Sequence, residues 1–382
     1  METGHRYYVG RSGSGKSTLM LTAMIEAIQA GDGVFYLDPH GTDTDTILEH
    51  IPPRRRNDVI LFDPSQWIVS FNPLDRISDK NLSAEAILYA LKDIWRFQDL
   101  STPTFDEYVL HSLLTLLQNP NPTLLGVTCL LTSPRFRARQ TSGLSDRHLR
   151  SFWADYEALT PKERRDEIRS TKNKLNVINA DIRLRRTLGQ ARTALRMDEV
   201  LEGKICLCRL PQGAIGIEKV RLLGMLLLCQ LHIAALGWTS DRPFHVFVDE
   251  FHHFQGKALM EMLSGVRKFG GTLHLSHQYL RQLTPAMRDA VIGNASIKHV
   301  FRVSKSDSEW LDEETRFDNT TPKFFELTKY AYRVDNEVFL VNKIPRPVFQ
   351  SSRHRTTKCA VEKYARGVKK IDRELDRFFS AI

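Results

Sequence analysis

Cysteine is scarce in this chain. Cys129, Cys206, Cys208, Cys229 and Cys359 are five in 382 residues, an odd set without C-x-x-C spacing. That excludes a disulfide framework and a cysteine zinc site, and it suits buried thiols in a reducing compartment. No charged-then-apolar leader opens the chain, since a glycine-rich motif begins at Gly10, so a secretory signal is not expected. Long apolar runs are also missing. The longest stretch, 222–238, is interrupted by Gln230 and His232, and a buried helix is expected there rather than a membrane span. Repeats and low-complexity tracts are absent, which excludes a solenoid.

Positive charge is what the chain has in excess. The formal net charge is +9 and the pI about 9.3, a balance suited to a polyanionic partner such as nucleic acid or an acidic membrane face. With 42% hydrophobic and 26% charged residues the composition is that of a globular protein, long enough for two or three domains.

The strongest local signal is Gly10-Arg11-Ser12-Gly13-Ser14-Gly15-Lys16-Ser17, which fits G-x-x-x-x-G-K-[ST]. An apolar strand, 7–9, enters it and a helical segment, 18–30, leaves it, the context a phosphate-binding loop requires. The three glycines let successive backbone N–H groups turn inward onto phosphate oxygens, and the helix N-terminus adds positive potential there. Gly10, Ser12, Gly13, Ser14, Gly15, Lys16, Ser17 and Thr18 are thus the expected nucleotide-binding set. Lys16 would reach the β- and γ-phosphates, and the Ser17 hydroxyl would join a Mg²⁺ shell.

Alternating apolar runs and helical stretches follow. Residues 34–37 and 58–62 read as buried strands ending at Asp38 and Asp63, which implies a parallel sheet with ligands at the strands' carboxyl ends. From about residue 78 the pattern turns helical, with stretches at 83–97, 105–118, 124–131, 145–159, 161–175 and 177–188. The basic run there, including Arg164, Arg165, Lys172, Lys174, Arg183, Arg185 and Arg186, reads as a solvated face with nucleic-acid contact as the alternative. Strands return at 204–210, 244–248, 272–276 and 297–303, with helices at 218–236 and 256–269 and a hairpin at 330–341. A basic segment with one helix, 361–379, closes the chain. The expected organisation is an α/β core over 1–77 and 201–345, an all-helical insertion over 78–200, and a basic tail over 346–382.

The run Phe244-His245-Val246-Phe247-Val248 leads straight into Asp249-Glu250. Beside a phosphate loop, such a pair places Asp249 in the Mg²⁺ shell with Ser17, and Glu250 as the group that orients and polarises a water. Gln278, at the end of the next strand, could hold water or phosphate, or simply bond backbone. Arg267, on the intervening helix, reads by itself as a surface charge, although an arginine can serve a transition-state phosphate from a neighbouring subunit. Arg302 looks buried in its strand and must then be paired, either with a core Asp or with nucleotide. His252-His253 reads as ordinary polar residues, because no second cluster completes a metal site.

Taken in order, these blocks resemble the HerA/FtsK branch of phosphate-loop ATPases. The likeness is greatest to type IV secretion coupling proteins of the VirD4/TraG/TraD kind and to HerA-like DNA translocases. It rests on the loop at Gly10–Ser17, Tyr36-Leu37-Asp38-Pro39-His40-Gly41, Phe71-Asn72-Pro73-Leu74, Phe247-Val248-Asp249-Glu250-Phe251, Gly265-Val266-Arg267-Lys268-Phe269-Gly270, Ser276-His277-Gln278 and Phe301-Arg302-Val303-Ser304. The resemblance implies a RecA-like core with a mainly parallel sheet and an all-helical insertion. It further implies ATP and Mg²⁺ as cofactors, a ring of six subunits, and ATP-driven movement of DNA through the channel. By position it makes Asp249 and Glu250 the Walker B pair, Gln278 the sensor and Arg267 a trans-acting arginine finger. Coupling proteins of this kind usually carry transmembrane helices before the core, and HerA proteins a β-barrel. Only nine residues precede Gly10, so a bare motor or a fragment is expected, cytoplasmic, with any membrane recruitment supplied by a partner. The alternatives are an ATP-gated module that docks protein partners, and a viral genome-packaging ATPase.

Overall fold

The structure is a computed structural model, and it describes residues 4–95, 102–315, 330–334, 337–341 and 351–380. The strands are β1 (Arg6–Val9), β2 (Gly33–Asp38), β3 (Val59–Phe62), β4 (Ile205–Arg209), β5 (Phe244–Val248), β6 (Gly271–His277), β7 (Ile297–Phe301), β8 (Tyr330–Val334) and β9 (Glu337–Val341). They form one sheet in the order β3-β4-β2-β5-β6-β1-β7-β8-β9. The pairs from β3 to β7 are all parallel, and β8 and β9 add an antiparallel edge. The continuous apolar runs have their cause here. A parallel strand covered by helices is buried on both faces, and Tyr7, Tyr8, Val34, Phe35, Tyr36, Val246 and Phe247 all have no exposed surface.

Register aligns the strand ends. Val9 pairs with His277, Leu275 with Val248, and Val248 with Leu37. The residues that follow β1, β6, β5 and β2 therefore emerge along one edge, which is where open parallel sheets bind ligands.

The chain divides into two compact units. The sheet unit comprises Met1–Phe62, Met197–Gly224 and Gln230–Lys363; the helical unit comprises Asp63–Arg196, Met225–Cys229 and Tyr364–Ile382. Residues 63–77, placed with the core from sequence, group with the helical unit. Asn72 explains the assignment. Its amide donates to the carbonyls of Pro122 and Ala191 at 2.8 and 3.0 Å, and its oxygen accepts from Leu74 N–H.

Several helix boundaries differ from the sequence expectation, each for a local reason. The segments expected at 161–175 and 177–188 form a continuous helix, Pro161–Ala180, followed by a turn at Asp181, whose carboxylate accepts from the N–H groups of Arg183 and Leu184 to start Ile182–Leu188. Pro161–Ala180 itself begins in a capping box of Thr160 and Glu163. An unexpected helix, Pro134–Thr141, is started by the Ser133 cap. The helix expected over 256–269 is α-helical only as Lys257–Gly265. It tightens to 3₁₀ over Val266–Phe269 and stops at Gly270. The single C-terminal helix is two, Arg353–Tyr364 and Val368–Ser380. Arg366, in the break, pairs with Glu374 at 2.7 Å, and Arg186 grips Asp372 through two hydrogen bonds of 2.7 and 2.8 Å. Residues 335 and 336 of the expected hairpin lie outside the described residues. Among those described, Ile217–Leu236 is the one helix long and apolar enough to cross a membrane, and 67% of its most apolar window is buried.

Candidate nucleotide site

The loop after β1 needs its glycines for a geometric reason. Gly10 has φ +154°, and a Cβ there would stand 2.5 Å from that of Phe301. Gly15, at the N-cap of helix Lys16–Ala30, has φ +102°. The loop is closed by bonds from Arg11 N–H to the Arg302 carbonyl, 3.0 Å, and from Ser14 N–H to the Arg11 carbonyl, 3.2 Å. Lys16 is buried and donates to the carbonyls of Gly10 and Arg11 at 2.6 and 3.2 Å. Burial lowers its pKa, and the charges of Glu250 and Asp249 work against that shift. The ammonium and the two acids, more than 230 positions apart in sequence, therefore share one locality. Ser12 is exposed, and Ser14, Ser17 and Thr18 are half-buried along the same turn.

Asp249 is 6% exposed and accepts from the Ser276 hydroxyl. Burial pushes its pKa up to about 7, against the Ser276 hydrogen bond and assisted by the charges of Glu250, Asp38 and Asp43. Asp38 is occupied by its own turn. It accepts from the N–H groups of His40, Gly41 and Thr44 and from the Thr44 hydroxyl, at 2.7–3.1 Å. That turn brings Asp43 close to Ser17 and Tyr36, whose side chains bear on its carboxyl. Burial and then the Asp38 charge raise the pKa of Asp43. Ser17, Asp43 and Asp249 are thus a hydroxyl and two desolvated carboxyls pressed by other negative charge. This hard-oxygen set is electrostatically relieved by a divalent cation and fits Mg²⁺.

Glu250 is 6% exposed and left-handed, with φ +45°. Gln278 Nε2 donates to its Oε1 at 2.8 Å. His252 Nδ1 lies 3.2 Å from Oε2, and His40 Nε2 4.0 Å from Oε1, an ion-pair distance too long for a direct hydrogen bond. Burial alone would raise the Glu250 pKa. The contacts with His252, His40 and Gln278 outweigh it and hold the carboxylate well below its usual range. The Glu250 carboxylate in turn raises the pKa of His40.

The structure thus gathers Lys16, Ser17, Asp249, Glu250 and Gln278 at one edge. Arg267 is not with them. It is exposed, in the 3₁₀ turn before the amino end of β6, near His5, whose pKa is lowered by burial and then by the Arg267 charge. Arg302 corrects the sequence expectation. The strand ends at Phe301, and Arg302 is exposed, touching the phosphate loop through its carbonyl. Three participants escaped the sequence reading. Asp43 follows its motif with no periodic mark. His40 and His252 carry the only hint, their closeness to Gly41 and Glu250 in the chain. Beside the loop, Arg11, Ser12, Gln278, Tyr279, Arg281 and Ser304 line a cavity of about 320 Å³.

No family model matches the sequence, and no curated protein matches it. Solved structures do. The plasmid coupling protein TrwB in complex with ADP and Mg²⁺ is similar at a TM-score of 0.59 and 15% identity, over 90% of this chain and 86% of that one. The bacterial conjugative coupling protein TrwBdeltaN70, in its unbound monoclinic form, gives 0.58 at 14% identity, over 87% and 82%. VirB4 of Thermoanaerobacter pseudethanolicus gives 0.59 at 13% identity, over 87% of each chain. This chain therefore has the α/β, RecA-like phosphate-loop fold that TrwB and VirB4 share.

Proposed function

We propose that this chain is a Mg²⁺-dependent ATPase that works in a ring of copies, six by analogy, to move DNA in the manner of a conjugative coupling protein. The observation that carries the ATPase reading is the convergence of Lys16, Ser17, Asp249, Glu250 and Gln278 at the carboxyl edge of β1, β5 and β6. TrwB, of the same fold, has been solved with ADP and Mg²⁺.

Ser17 and Asp249, with Asp43 beside them, are the groups that would hold Mg²⁺. Bound MgATP supplies a γ-phosphorus whose developing charge the ion spreads. The chain's own residues do the rest. The N–H groups of Gly13–Ser17 and the first turn containing Thr18 bind phosphate oxygens. Lys16 leaves two carbonyls for the β- and γ-phosphates. Glu250 Oε1 is held by Gln278, while Oε2 has no hydrogen-bond partner among the described residues, so Oε2 is the oxygen that can accept a proton from water. Its depressed pKa keeps it ionised at neutral pH. Gln278, bonded to that carboxylate, is placed to sense the γ-phosphate.

Arg267 is exposed and remote from this chain's own phosphate loop, which supports service to the site of an adjacent copy. Arg302, exposed beside the loop, is the candidate second arginine for nucleotide. The net charge of +9 supports DNA as the polyanion.

Lys16→Ala tests the reading. The variant is expected to keep its circular dichroism and melting profile and to lose ATP hydrolysis. Duplex DNA in low salt is expected to stimulate the wild type. Hydrolysis by Lys16→Ala at the wild-type rate would refute the ATPase site. A hydrolysing wild type that neither binds DNA nor responds to it, even in low salt, would refute the DNA part.

A further inference from the structure

Two glutamines tie the turn after β6 to the segment after β5. Gln282 Oε1 accepts the backbone N–H groups of Gln278 and Tyr279, each at 3.0 Å. With its oxygen engaged there, the amide nitrogen of Gln282 faces His252 Nε2 at 3.3 Å. An amide nitrogen donates and does not accept, so Nε2 is the acceptor of the imidazole and the proton of the neutral ring sits on Nδ1. Gln255 braces both segments. Its Nε2 donates to the carbonyls of His252 and Gln282 at 2.9 and 2.8 Å, and its Oε1 accepts from Thr284 N–H at 2.7 Å.

His252 Nδ1 stands 3.2 Å from Glu250 Oε2, out of line for a good hydrogen bond, and neither atom has a hydrogen-bond partner elsewhere among the described residues. Both oxygens of Glu250 are therefore addressed from one turn. Gln278 reaches Oε1 directly, and Gln282 reaches Oε2 through the imidazole. The left-handed backbone of Glu250 gives its side chain a direction that surrounding contacts must hold. The outer face of the turn carries Tyr279, 49% exposed, and exposed Arg281.

We propose that His252 is a positioning residue for Glu250, locked in its Nδ1-protonated tautomer by Gln282, so that the 278–282 turn sets the direction of the oxygen that takes the proton from water. The inference rests on Glu250 being the general base. A shift of the turn alters both carboxylate contacts together, coupling the sensor glutamine and the outward residues Tyr279 and Arg281 to the base.

The test uses the full chain. Nitrogen-15 shifts of its histidines, with His252 assigned by its absence in His252→Asn, are expected to show a protonated Nδ1 and a bare Nε2. Gln282→Glu, which faces Nε2 with an acceptor, is expected to reverse the tautomer or add a second proton. In ATPase assays His252→Gln is expected to lower kcat about 10- to 100-fold with KM little changed, the usual cost of losing a group that orients a reacting one. His252→Asn, whose amide nitrogen falls near the place of Nδ1, is expected to restore most of that loss. Nε2 protonated in the wild type, or equal kcat for His252→Gln and wild type where Glu250→Gln is inactive, overturns the inference alone. Full activity in Glu250→Gln overturns the reading of the site, and the positioning role with it.

Discussion

Acid should unfold this protein through its sheet histidines, and His299 isolates the effect. It lies on β7, 7% exposed, stacked on Tyr8 with ring centroids 4.7 Å apart. Burial, and then the Arg6 charge, push its pKa from the ordinary 6.5 down to about 3. The unfolded chain therefore takes up a proton near pH 6.5 that the folded chain refuses until about pH 3. The stability from this group is fully present above pH 6.5 and falls as the pH drops below that value. At pH 5 the loss is RT ln(1 + 10^1.5), about 2 kcal/mol. His277 is wholly buried, with its pKa lowered to about 3 by burial, and adds a second loss of the same sign and size. Asp249 opposes them, since its raised pKa lets the folded state take a proton early as the pH falls.

A comparison of wild type with His299→Phe cancels every group except His299. Phenylalanine keeps a ring against Tyr8 and cannot titrate. Whatever the substitution costs at pH 7.5, the gap between the two proteins should move by about 2 kcal/mol in the variant's favour on going to pH 5. At roughly 2–4 °C per kcal/mol this is about 4–8 °C in the unfolding midpoint. Matched thermal melts followed by near-ultraviolet circular dichroism would read it. Equal pH dependence in the two proteins would show that His299 accepts a proton in the folded state as readily as in the unfolded one, and the burial account would be wrong.

Two further outcomes follow from the site. Gly10→Ala places a methyl 2.5 Å from the Phe301 Cβ at a φ of +154°; it is expected to destabilise the sheet unit by about 1–3 kcal/mol and to abolish nucleotide binding in a fluorescent-ATP titration. Arg267→Ala is expected to fold and bind ATP normally while losing hydrolysis. Mixing it with Lys16→Ala should recover part of the activity, because some interfaces then pair an intact arginine with an intact loop; mixtures no more active than their components would remove the trans role.

Much of the fold was legible because it rests on properties a strand or loop carries by itself. Burial on both faces writes the parallel strands as unbroken apolar runs, and 34–37 and 244–248 stand out for that reason. The phosphate loop was legible because the backbone conformations at Gly10 and Gly15 exclude most side chains. Helix boundaries in the insertion were less so. Whether Pro161–Ala180 ends at 175 or 180 is decided by a single cap, Asp181, and one acidic side chain leaves little trace in an amphipathic pattern.

The acids and their partners divide along the same line. Asp249 and Glu250 could be named because an apolar strand aims them. Asp43 could not, since its nearness to Ser17 comes from a turn folded around Asp38, and Asp38 looked the better candidate by standing at a strand end. Arg302 failed in the opposite way. Its apolar neighbours implied burial, but β7 stops one residue short of it, and beyond a strand's end alternation no longer dictates exposure. His252 shows the deeper limit. A histidine beside another histidine has no periodicity to betray it, and its relation to Glu250 depends on Gln282, thirty positions later, whose amide orientation depends in turn on two backbone N–H groups. Local sequence can say which residue type meets a charge. Which tautomer meets it is set by a chain of hydrogen bonds that exists only once β5 and β6 lie side by side.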